Sequence, residues 1–283
     1  MATFEEVMAV TDESTGRFVQ VGNINIHYNE VGTGDPPILC VHGAGPGASG
    51  WGNFSGNFQE LALERRVLLI DMPGWGKTEH VPPGDQPLTF WAKLLKDFLD
   101  TVGIDSVDLI GNSMGGQMGI KLAIDYPEKL KHLVVIGSQP TQAIAIQALP
   151  QEGLRTLAEY YQGDGPSMEK MRAVVRSLAY DDSSLTDDFI KQRYEASITP
   201  NQLARGRDHW QGQDLYFELE RNRVPTLVVW GIDDRGGALE VGLLMTRRFQ
   251  NTRMYIFAKC GHWAQVEHRA AFDRLVLDFF KND

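Results

Sequence analysis

Hydrophobic positions along the chain follow two different periods. Residues 18–28 alternate apolar and polar side chains around Gly22-Asn23, a pattern typical of an antiparallel hairpin. Further on, short and fully apolar runs, typical of strands buried on both faces, alternate with segments of helical spacing such as Leu88 to Val102. This alternation predicts a mostly parallel sheet covered by helices. The predicted strands are Ile38–Val41, Val67–Ile70, Val107–Ile110, Leu133–Ile136, Thr226–Trp230 and Met254–Phe257.

The strand pattern is interrupted between residues 138 and 223. This interval holds only helix-like stretches separated by Gly, Pro and Asp clusters. An insertion between two strands of a parallel sheet lies at one end of that sheet, so we interpret it as a helical lid over the site. We therefore predict a core formed by residues 1–137 and 224–283, with residues 138–223 inserted as the lid. The helix-like stretches are Gly153–Tyr161, Ser167–Tyr180 and Thr186–Ser197.

The charge of the chain limits the partners that it can have. With 27 Lys and Arg against 37 Asp and Glu, the formal net charge is −10, so nucleic acid and anionic membranes are not expected as partners. No apolar run approaches the roughly 20 residues of a spanning helix. Residues 1–16 have no basic region followed by an apolar stretch, so we expect no secretory signal and a cytoplasmic location. Cys40 and Cys260 are too few for a disulfide framework and are expected to be reduced.

A candidate nucleophile lies between a predicted strand and the helix after it. Gly111-Asn112-Ser113-Met114-Gly115 follows a buried strand and opens a helical segment that stops at Pro127. In this context G-x-S-x-G is the nucleophile elbow, in which small flanking residues allow a sharp turn that holds the serine hydroxyl above the sheet. A tight turn with an incidental serine is the alternative. The flanking strand and helix favour the elbow, so we predict that Ser113 is the nucleophile.

A serine nucleophile needs a base, and the base needs an acid that fixes its tautomer. His262 follows the last predicted strand and a glycine, just before the terminal helix, where a Ser–Asp–His chain order places the base. The acid should follow the preceding strand, where Asp233 and Asp234 are adjacent. Their side chains cannot both point at His262, so we choose Asp234 and assign Asp233 to the turn. A generic loop histidine is the alternative for His262, and Asp71 is interpreted as structural.

A glycine-rich loop follows the first buried strand, where residues 42–54 read HGAGPGASGWGNF. Glycines at such a position bring bare backbone N–H groups close to a negative charge. In this architecture the loop supplies one N–H of an oxyanion hole and the residue after the nucleophile supplies the other. We therefore predict that the glycines from Gly43 to Gly50 face the developing oxyanion, with Ala44 and Met114 as donors. A phosphate-binding loop is the rival, but the stretch lacks a terminal Gly-Lys-Ser/Thr and does not open directly into a clear helix.

Together these stretches resemble the α/β-hydrolase fold, and within it the meta-cleavage product hydrolases, which cleave carbon–carbon bonds in aromatic and steroid degradation. HGAGPGASGWGNF, GNSMGG and KCGHWAQVEH carry the narrower resemblance, which runs over nearly the whole chain and is weakest in the lid. It implies that Ser113, Asp234 and His262 form the catalytic triad and that further residues line the substrate pocket. These are Asn53, Asn112, Arg193 and Trp263, to which we add Gly43 and Gly45 from the glycine loop.

The resemblance also implies the ligand. It is a 2-hydroxy-6-oxohexa-2,4-dienoate, cleaved to a 2-hydroxypentadienoate and a carboxylic acid by a homo-oligomeric enzyme. The Arg193 guanidinium can bind the dienoate carboxylate through two parallel hydrogen bonds. Without the resemblance, the sequence alone favours a solvent-exposed arginine on a helix. No metal or organic cofactor is expected, because the chain shows no Cys/His zinc spacing and no dinucleotide fingerprint. Gly236-Gly237-Ala238 departs from the bulkier, proline-containing segment usual in the family, which leaves the pocket shape beside the triad open.

The family scheme gives each triad residue a step. His262 first assists conversion of the dienol into its keto form, Ser113 then attacks the ketone, and water releases the acid. A carboxylesterase would use the same triad. Arg193 and Asn112 distinguish the two enzymes, because only the carbon–carbon bond hydrolase needs a pocket for a dienoate carboxylate. A non-catalytic receptor with the same fold could keep the triad, so only a measurement of turnover distinguishes it from an enzyme. A haloalkane dehalogenase is disfavoured because its nucleophile is an aspartate, where this chain has Ser113. The substituent on the acyl side of the substrate cannot be read from the sequence.

Overall fold

The computed structural model describes residue 7 and residues 9–142, 151–181, 185–208 and 212–282. The described strands are β1 (Gly16–Val21), β2 (Ile24–Val31), β3 (Ile38–Val41), β4 (Val67–Ile70), β5 (Val107–Asn112), β6 (Leu130–Ile136), β7 (Thr226–Gly231) and β8 (Thr252–Phe257). They form an eight-stranded sheet in the order β1-β2-β4-β3-β5-β6-β7-β8. β2 runs antiparallel to β1 and β4, and the remaining neighbours are parallel. The predicted hairpin and mostly parallel sheet are therefore confirmed.

The last strand differs from its prediction. β3, β4 and β7 are buried along their whole length, as their apolar runs predict. β5 is equally buried although it contains Asp108, whose carboxylate pairs with Arg65 and His132. β8 lies at the edge of the sheet and pairs only with β7. Tyr255 and Ile256 are consequently 44% and 41% exposed, so the prediction that β8 is buried on both faces is wrong. An apolar run on an edge strand looks the same in sequence as one in the sheet centre.

Helices cover both faces of the sheet. They are α1 (Asp12–Thr15), α2 (Gly50–Glu64), α3 (Pro87–Thr101), α4 (Met114–Asp125), α5 (Glu152–Glu159), α6 (Met168–Leu178), α7 (Asp187–Ser197), α8 (Pro200–Arg205), α9 (Leu239–Arg248), α10 (Ala264–Glu267) and α11 (Arg269–Asn282). α3, α4 and α9 contribute to the hydrophobic core on one face, with Leu95 and Met118 fully buried. α2 and α11 contribute to the other, with Phe58 and Phe272 fully buried. Within the described ranges no helix is long and apolar enough to span a bilayer.

Helices α5 to α8 lie between β6 and β7, inside the predicted lid. Tyr160, Met171 and Val175 form a separate hydrophobic cluster there, which Trp263 of the core joins. Three of these helices match predicted stretches, while α8 was not predicted. Residues 143–150, 182–184 and 209–211 of the lid lie outside the described residues, as do 1–6, 8 and 283 of the core. The boundaries at residues 138 and 223 stay a prediction.

The glycine loop leads directly into α2. Ser49 caps this helix, its side chain accepting a hydrogen bond from the Gly52 N–H. The argument that the loop does not open into a helix is therefore wrong. Glycine is a poor helix former, so the glycines at 50, 52 and 56 conceal the helix in the sequence. The missing Gly-Lys-Ser/Thr ending still argues against a phosphate-binding loop.

Candidate active site

Ser113 lies at the sharp turn between β5 and α4. Its backbone has φ 54° and ψ −118°, a strained region for a residue with a Cβ. A Cβ at Gly111 would lie 2.5 Å from the Gly115 carbonyl oxygen, and one at Gly115 would lie 2.1 Å from the Val41 carbonyl oxygen. Only glycine fits at both positions. The G-x-S-x-G spacing is therefore required by close contact between the turn and the sheet.

His262 and Asp234 follow neighbouring strands, β8 and β7, and meet at the carboxyl edge of the sheet. The two carboxylate oxygens of Asp234 lie 2.9 and 3.0 Å from His262 Nδ1. Asp234 Oδ1 also accepts hydrogen bonds from the Gly236 and Gly237 N–H groups, at 2.7 and 3.0 Å. Asp233 lies in the turn, where its own N–H donates to a backbone carbonyl at 3.0 Å. The structure therefore brings Asp234, and not Asp233, to His262.

The environment of His262 raises the pKa of its imidazole. Burial disfavours the charged imidazolium and so lowers the pKa of His262. The negative charges of Asp234 and Glu267, together with the hydrogen bond to Asp234, outweigh this effect and raise the His262 pKa above its usual 6.5. Arg193 acts in the opposite direction. With Nδ1 donating to Asp234, Nε2 is the nitrogen that can accept a proton. Sequence reasoning missed Glu267, which holds the His262 loop by accepting a hydrogen bond from the Gly261 N–H at 3.0 Å.

The two predicted oxyanion donors are free to bind a ligand. Among the described residues, neither the Ala44 nor the Met114 N–H has a hydrogen-bond acceptor. The Met114 N–H is in the first turn of α4, where helix N–H groups have no intrahelical partner. Gly43 packs against the nucleophile, since a Cβ there would lie 3.1 Å from the Ser113 Cβ. The geometry thus allows an oxyanion to be bound beside Ser113.

The rest of the glycine loop contacts other groups. A Cβ at Gly45 would lie 2.8 Å from Arg193 Nη2, and one at Gly47 would lie 1.9 Å from the Arg193 carbonyl oxygen. The Gly50 N–H donates to Asp71 Oδ1 at 2.7 Å. The prediction that all glycines from Gly43 to Gly50 face the oxyanion is therefore wrong for Gly47 and Gly50. The loop serves both the nucleophile and the close packing of α7.

Arg193 of α7 is buried without an acceptor. The side chain is 6% exposed, and its Cζ lies 5.0 Å from the centre of the Trp263 ring. Its Nε is buried without a partner, and no described residue accepts a hydrogen bond from the guanidinium or forms an ion pair with it. Burial lowers the Arg193 pKa to about 10, so the group is still charged at neutral pH. This burial excludes a solvated helix arginine, and a ligand that supplies acceptors would offset its cost.

Two asparagines link the Ser113 turn to the backbone of His262. Asn53 Nδ2 donates to Asn112 Oδ1 at 3.3 Å. Asn112 Nδ2 lies 3.3 Å from the His262 carbonyl oxygen and 3.2 Å from that of Ile136. Asn112 is therefore engaged by the protein, and its contact with substrate stays a prediction. Asn53 Oδ1 is buried without a partner and is available to a ligand.

The predicted residues surround one small chamber of about 20 Å³, with room for about one water molecule. Leu157 and Leu178, from α5 and α6, complete its wall; sequence reasoning missed both, because apolar lid residues carry no signal of which face they cover. Asp234 stands behind His262. A ligand of several carbon atoms can enter only if the walls move. The predicted residues in the wall are Gly43, Ala44, Gly45, Asn53, Asn112, Ser113, Arg193, His262 and Trp263.

Gly137 is a further residue that sequence reasoning missed. It follows β6 with φ +55°, and a Cβ there would lie 2.9 Å from His262 Nδ1 and 3.0 Å from Asp234 Oδ2. Any larger residue would therefore disturb the contact between acid and base. The available signal was its place directly after a strand next to β5, since ligands bind at the carboxyl ends of such strands.

The cysteines and acidic groups suggest no second chemistry. Cys40 and Cys260 are free and buried, and burial raises the pKa of both thiols. They are therefore inert as nucleophiles at neutral pH. In the described part of the chain, no group of three or more His, Cys, Asp and Glu side chains could hold a metal ion.

Known proteins resemble this chain in both sequence and structure. The model of a family described as alpha/beta hydrolase fold matches residues 36–269. A 2-hydroxy-6-oxononadienedioate/2-hydroxy-6-oxononatrienedioate hydrolase of Cupriavidus pinatubonensis is 38% identical, over 98% of this chain and 99% of that protein. A hydrolase of the same name from Paraburkholderia xenovorans is 37% identical, over 96% of this chain and 98% of that protein.

Solved structures agree with this similarity. The meta-cleavage product hydrolase of Pseudomonas fluorescens IP01, complexed with acetates, superposes with a TM-score of 0.83 at 28% identity, over 94% of this chain and 98% of that one. A serine hydrolase of the polyaromatic hydrocarbon-degrading bacterium Cycloclasticus zankles gives a TM-score of 0.84 at 28% identity, over 95% of this chain and 99% of that one.

Proposed function

Because this chain belongs to the α/β-hydrolase family, and within it to the meta-cleavage product hydrolases, we propose that it is a serine hydrolase acting on a carbon–carbon bond. Its substrate is of the 2-hydroxy-6-oxohexa-2,4-dienoate type, and its products are a 2-hydroxypentadienoate and a carboxylic acid. The observation that carries this proposal is the buried Arg193 guanidinium, which has no acceptor and lines the same chamber as Ser113. A dienoate carboxylate supplies two acceptors that match the fork of a guanidinium.

The first step moves a proton within the substrate. His262 assists loss of the proton from the 2-hydroxyl while carbon 5 gains one, so the dienol becomes a ketone at carbon 2. The bond between carbon 5 and the ketone at carbon 6 then becomes breakable, because the departing electron pair can be delocalised onto the carbonyl at carbon 2. Arg193 donates hydrogen bonds to the carboxylate during this change, and Asn53 Oδ1 can accept one from the neighbouring 2-hydroxyl.

The second step is acyl transfer. Ser113 Oγ attacks carbon 6 and gives its proton to His262 Nε2, while Asp234 stabilises the imidazolium. The negative charge on the carbonyl oxygen is stabilised by the Ala44 and Met114 N–H groups. Cleavage of the bond between carbons 5 and 6 sends the electron pair onto the oxygen at carbon 2, which takes the proton from His262. This releases the 2-hydroxypentadienoate, returns His262 to its neutral form and leaves an acyl group on Ser113. A water molecule, activated by His262, then releases the acid.

A panel of synthetic substrates tests the proposal. We expect the purified protein to consume meta-cleavage products with loss of the dienolate absorbance and formation of the carboxylic acid. The panel contains phenyl, alkyl and steroid-derived compounds and 2-hydroxy-6-oxononadienedioate, and the Ser113→Ala variant serves as the control. Turnover of p-nitrophenyl acetate without cleavage of any dienoate would instead identify a carboxylesterase. Absence of turnover on all substrates would favour a receptor.

We further propose that residues 138–223 act as a lid and that the chain forms a homo-oligomer in the cytoplasm. The lid is supported by Leu157, Leu178 and Arg193, which come from this segment and line the chamber with Ser113. Size-exclusion chromatography with light scattering tests the oligomer. Fractionation of the producing cells tests the location.

A further inference from the structure

A second cavity, of about 360 Å³, lies beside the catalytic chamber and is called the outer cavity here. Its walls come from α2, α7 and the start of α11, and include Ser55, Ala196 and Arg269. Asn53 and Arg193 line both cavities and so form the partition between them. The volume falls in the range of about 300–1,000 Å³ that is typical of small-molecule sites. The catalytic chamber, at about 20 Å³, is far smaller.

The outer cavity is positively charged although the protein is acidic. Arg269 lies against α2, where a Cβ at Gly56 would come within 2.3 Å of its Cζ. Arg193 forms no ion pair with a described residue, and Arg269 forms none within 4 Å, although its charge acts on the buried Asp273 carboxyl of the same helix. The N-terminus of α2 adds no free charge, because the Gly50 N–H already donates to the Asp71 carboxylate, so the guanidinium groups supply the positive charge. Asp12 is the one acid among the described residues of the wall, and its carboxylate is already 2.9 Å from Lys77 Nζ.

The partition also contains buried polar atoms that have no hydrogen-bond partner. Arg193 Nε and Asn53 Oδ1 are both buried without a partner, and each residue is 6% exposed. The buried Arg193 donor at the junction of the two cavities fits an anionic ligand that passes from one to the other, while the Asn53 acceptor fits a hydroxyl on such a ligand. A small conjugated carboxylate has both the charge and the size for this route.

We infer that the outer cavity is a second binding site for a small conjugated carboxylate. Arg269 binds the ligand first, and Arg193 then takes its carboxylate into the catalytic chamber; the carboxylate product leaves by the same route. The identity of this ligand as a dienoate rests on the proposed function. The second site itself rests on the cavity, its two guanidinium groups and the partition.

Sorbate, hexa-2,4-dienoate, is a suitable probe because it has the carboxylate and the diene but no ketone to be cleaved. We expect wild-type protein to bind sorbate in a calorimetric titration at low ionic strength. Arg269→Gln should weaken this binding about threefold to tenfold, since it removes one guanidinium. Arg274→Gln is the matched control, because Arg274 is an exposed residue of the same helix outside the cavity, and it should leave sorbate binding unchanged.

A second variant displaces the Arg269 side chain without removing its charge. In Gly56→Ala the new Cβ would overlap the Arg269 guanidinium, while a helix-interior alanine does not weaken α2. Sorbate binding should weaken here as well. With a dienoate substrate, stopped-flow measurements should show slower association in both variants and an unchanged single-turnover cleavage rate.

The outcomes separate this inference from the proposed function. Equal sorbate affinities in Arg269→Gln and Arg274→Gln, or no sorbate binding by wild type, would overturn the second site even if dienoates are cleaved. Arg269-dependent sorbate binding by a protein that cleaves no dienoate would support the second site and overturn the proposed function.

Discussion

Replacement of Arg193 by glutamine tests the proposed grip on the substrate carboxylate. The guanidinium is 6% exposed and has no protein acceptor, so a bound carboxylate would supply its hydrogen bonds. A hydrogen bond to a charged group contributes about 1.5–3 kcal/mol, and about 1.4 kcal/mol corresponds to a tenfold change in rate. Loss of one or two such bonds lowers kcat/KM for a dienoate by at least about tenfold, and by up to on the order of 10⁴-fold.

The assay compares two substrates and two variants. Arg193→Gln should barely change hydrolysis of p-nitrophenyl acetate, which has no carboxylate to hold. Lys191→Gln, on the same helix with an exposed side chain, should change neither activity. The thermal midpoint of Arg193→Gln without ligand should not fall, because the change removes an unpaired buried charge. Equal losses on both substrates, with a lower midpoint, would show that the lid had unfolded and would refute the reasoning.

Four further outcomes are expected. Ser113→Ala should lower turnover by on the order of 10⁴-fold or more and leave substrate binding within a few-fold, which single-turnover kinetics and calorimetry can measure. Asp234→Asn should lower kcat far more than Asp233→Asn, and the reverse ranking would move the acid by one residue. Activity toward p-nitrophenyl acetate should rise with pH through the raised His262 pKa, above its usual 6.5, and Asp234→Asn should shift this limb to lower pH. Burial raises the pKa of Asp273 from 3.8 to about 7, so the carboxyl binds its proton more tightly in the folded state, and the stability of the protein falls as pH rises through this window. In denaturant titrations between about pH 5 and 7.5, the stability of Asp273→Asn should therefore increase relative to that of wild type as the pH rises. A stability difference that does not change with pH would contradict the shifted pKa.

The sequence predicts the core and the places of Ser113, Asp234 and His262 in the fold, because local sterics and strand order determine them. Ser113 lies in a turn whose flanking glycines have no room for a Cβ. The G-x-S-x-G motif is therefore a direct record of the turn geometry. Asp234 and His262 come directly after strands, and parallel strands bring such residues to one edge. Sequence order therefore carries most of the information on where these residues lie.

The lid and the glycine loop were predicted less well, because their structure depends on long-range contacts. The burial of Arg193 results from its packing on Trp263 and on the backbone of the glycine loop, which lies far away in sequence. Leu157 and Leu178 face the chamber on helices whose apolar residues also fill a separate cluster. Helical spacing shows that such a helix has an apolar face but does not show what that face covers.

The Gly236-Gly237 segment holds Asp234 in place and packs against Leu178 of α6. Both N–H groups donate to Asp234 Oδ1, so the backbone of the segment supports the contact between Asp234 and His262. A Cβ at Gly236 would lie 2.8 Å from Leu178 Cδ2 and 3.1 Å from His262 Nδ1, so the space of a bulkier residue is already occupied by Leu178. The Leu178 carbonyl oxygen accepts a hydrogen bond from the His262 N–H at 2.7 Å, which ties the end of α6 to the catalytic loop. The Leu178 side chain therefore fills the space beside His262 that a larger residue at position 236 would occupy.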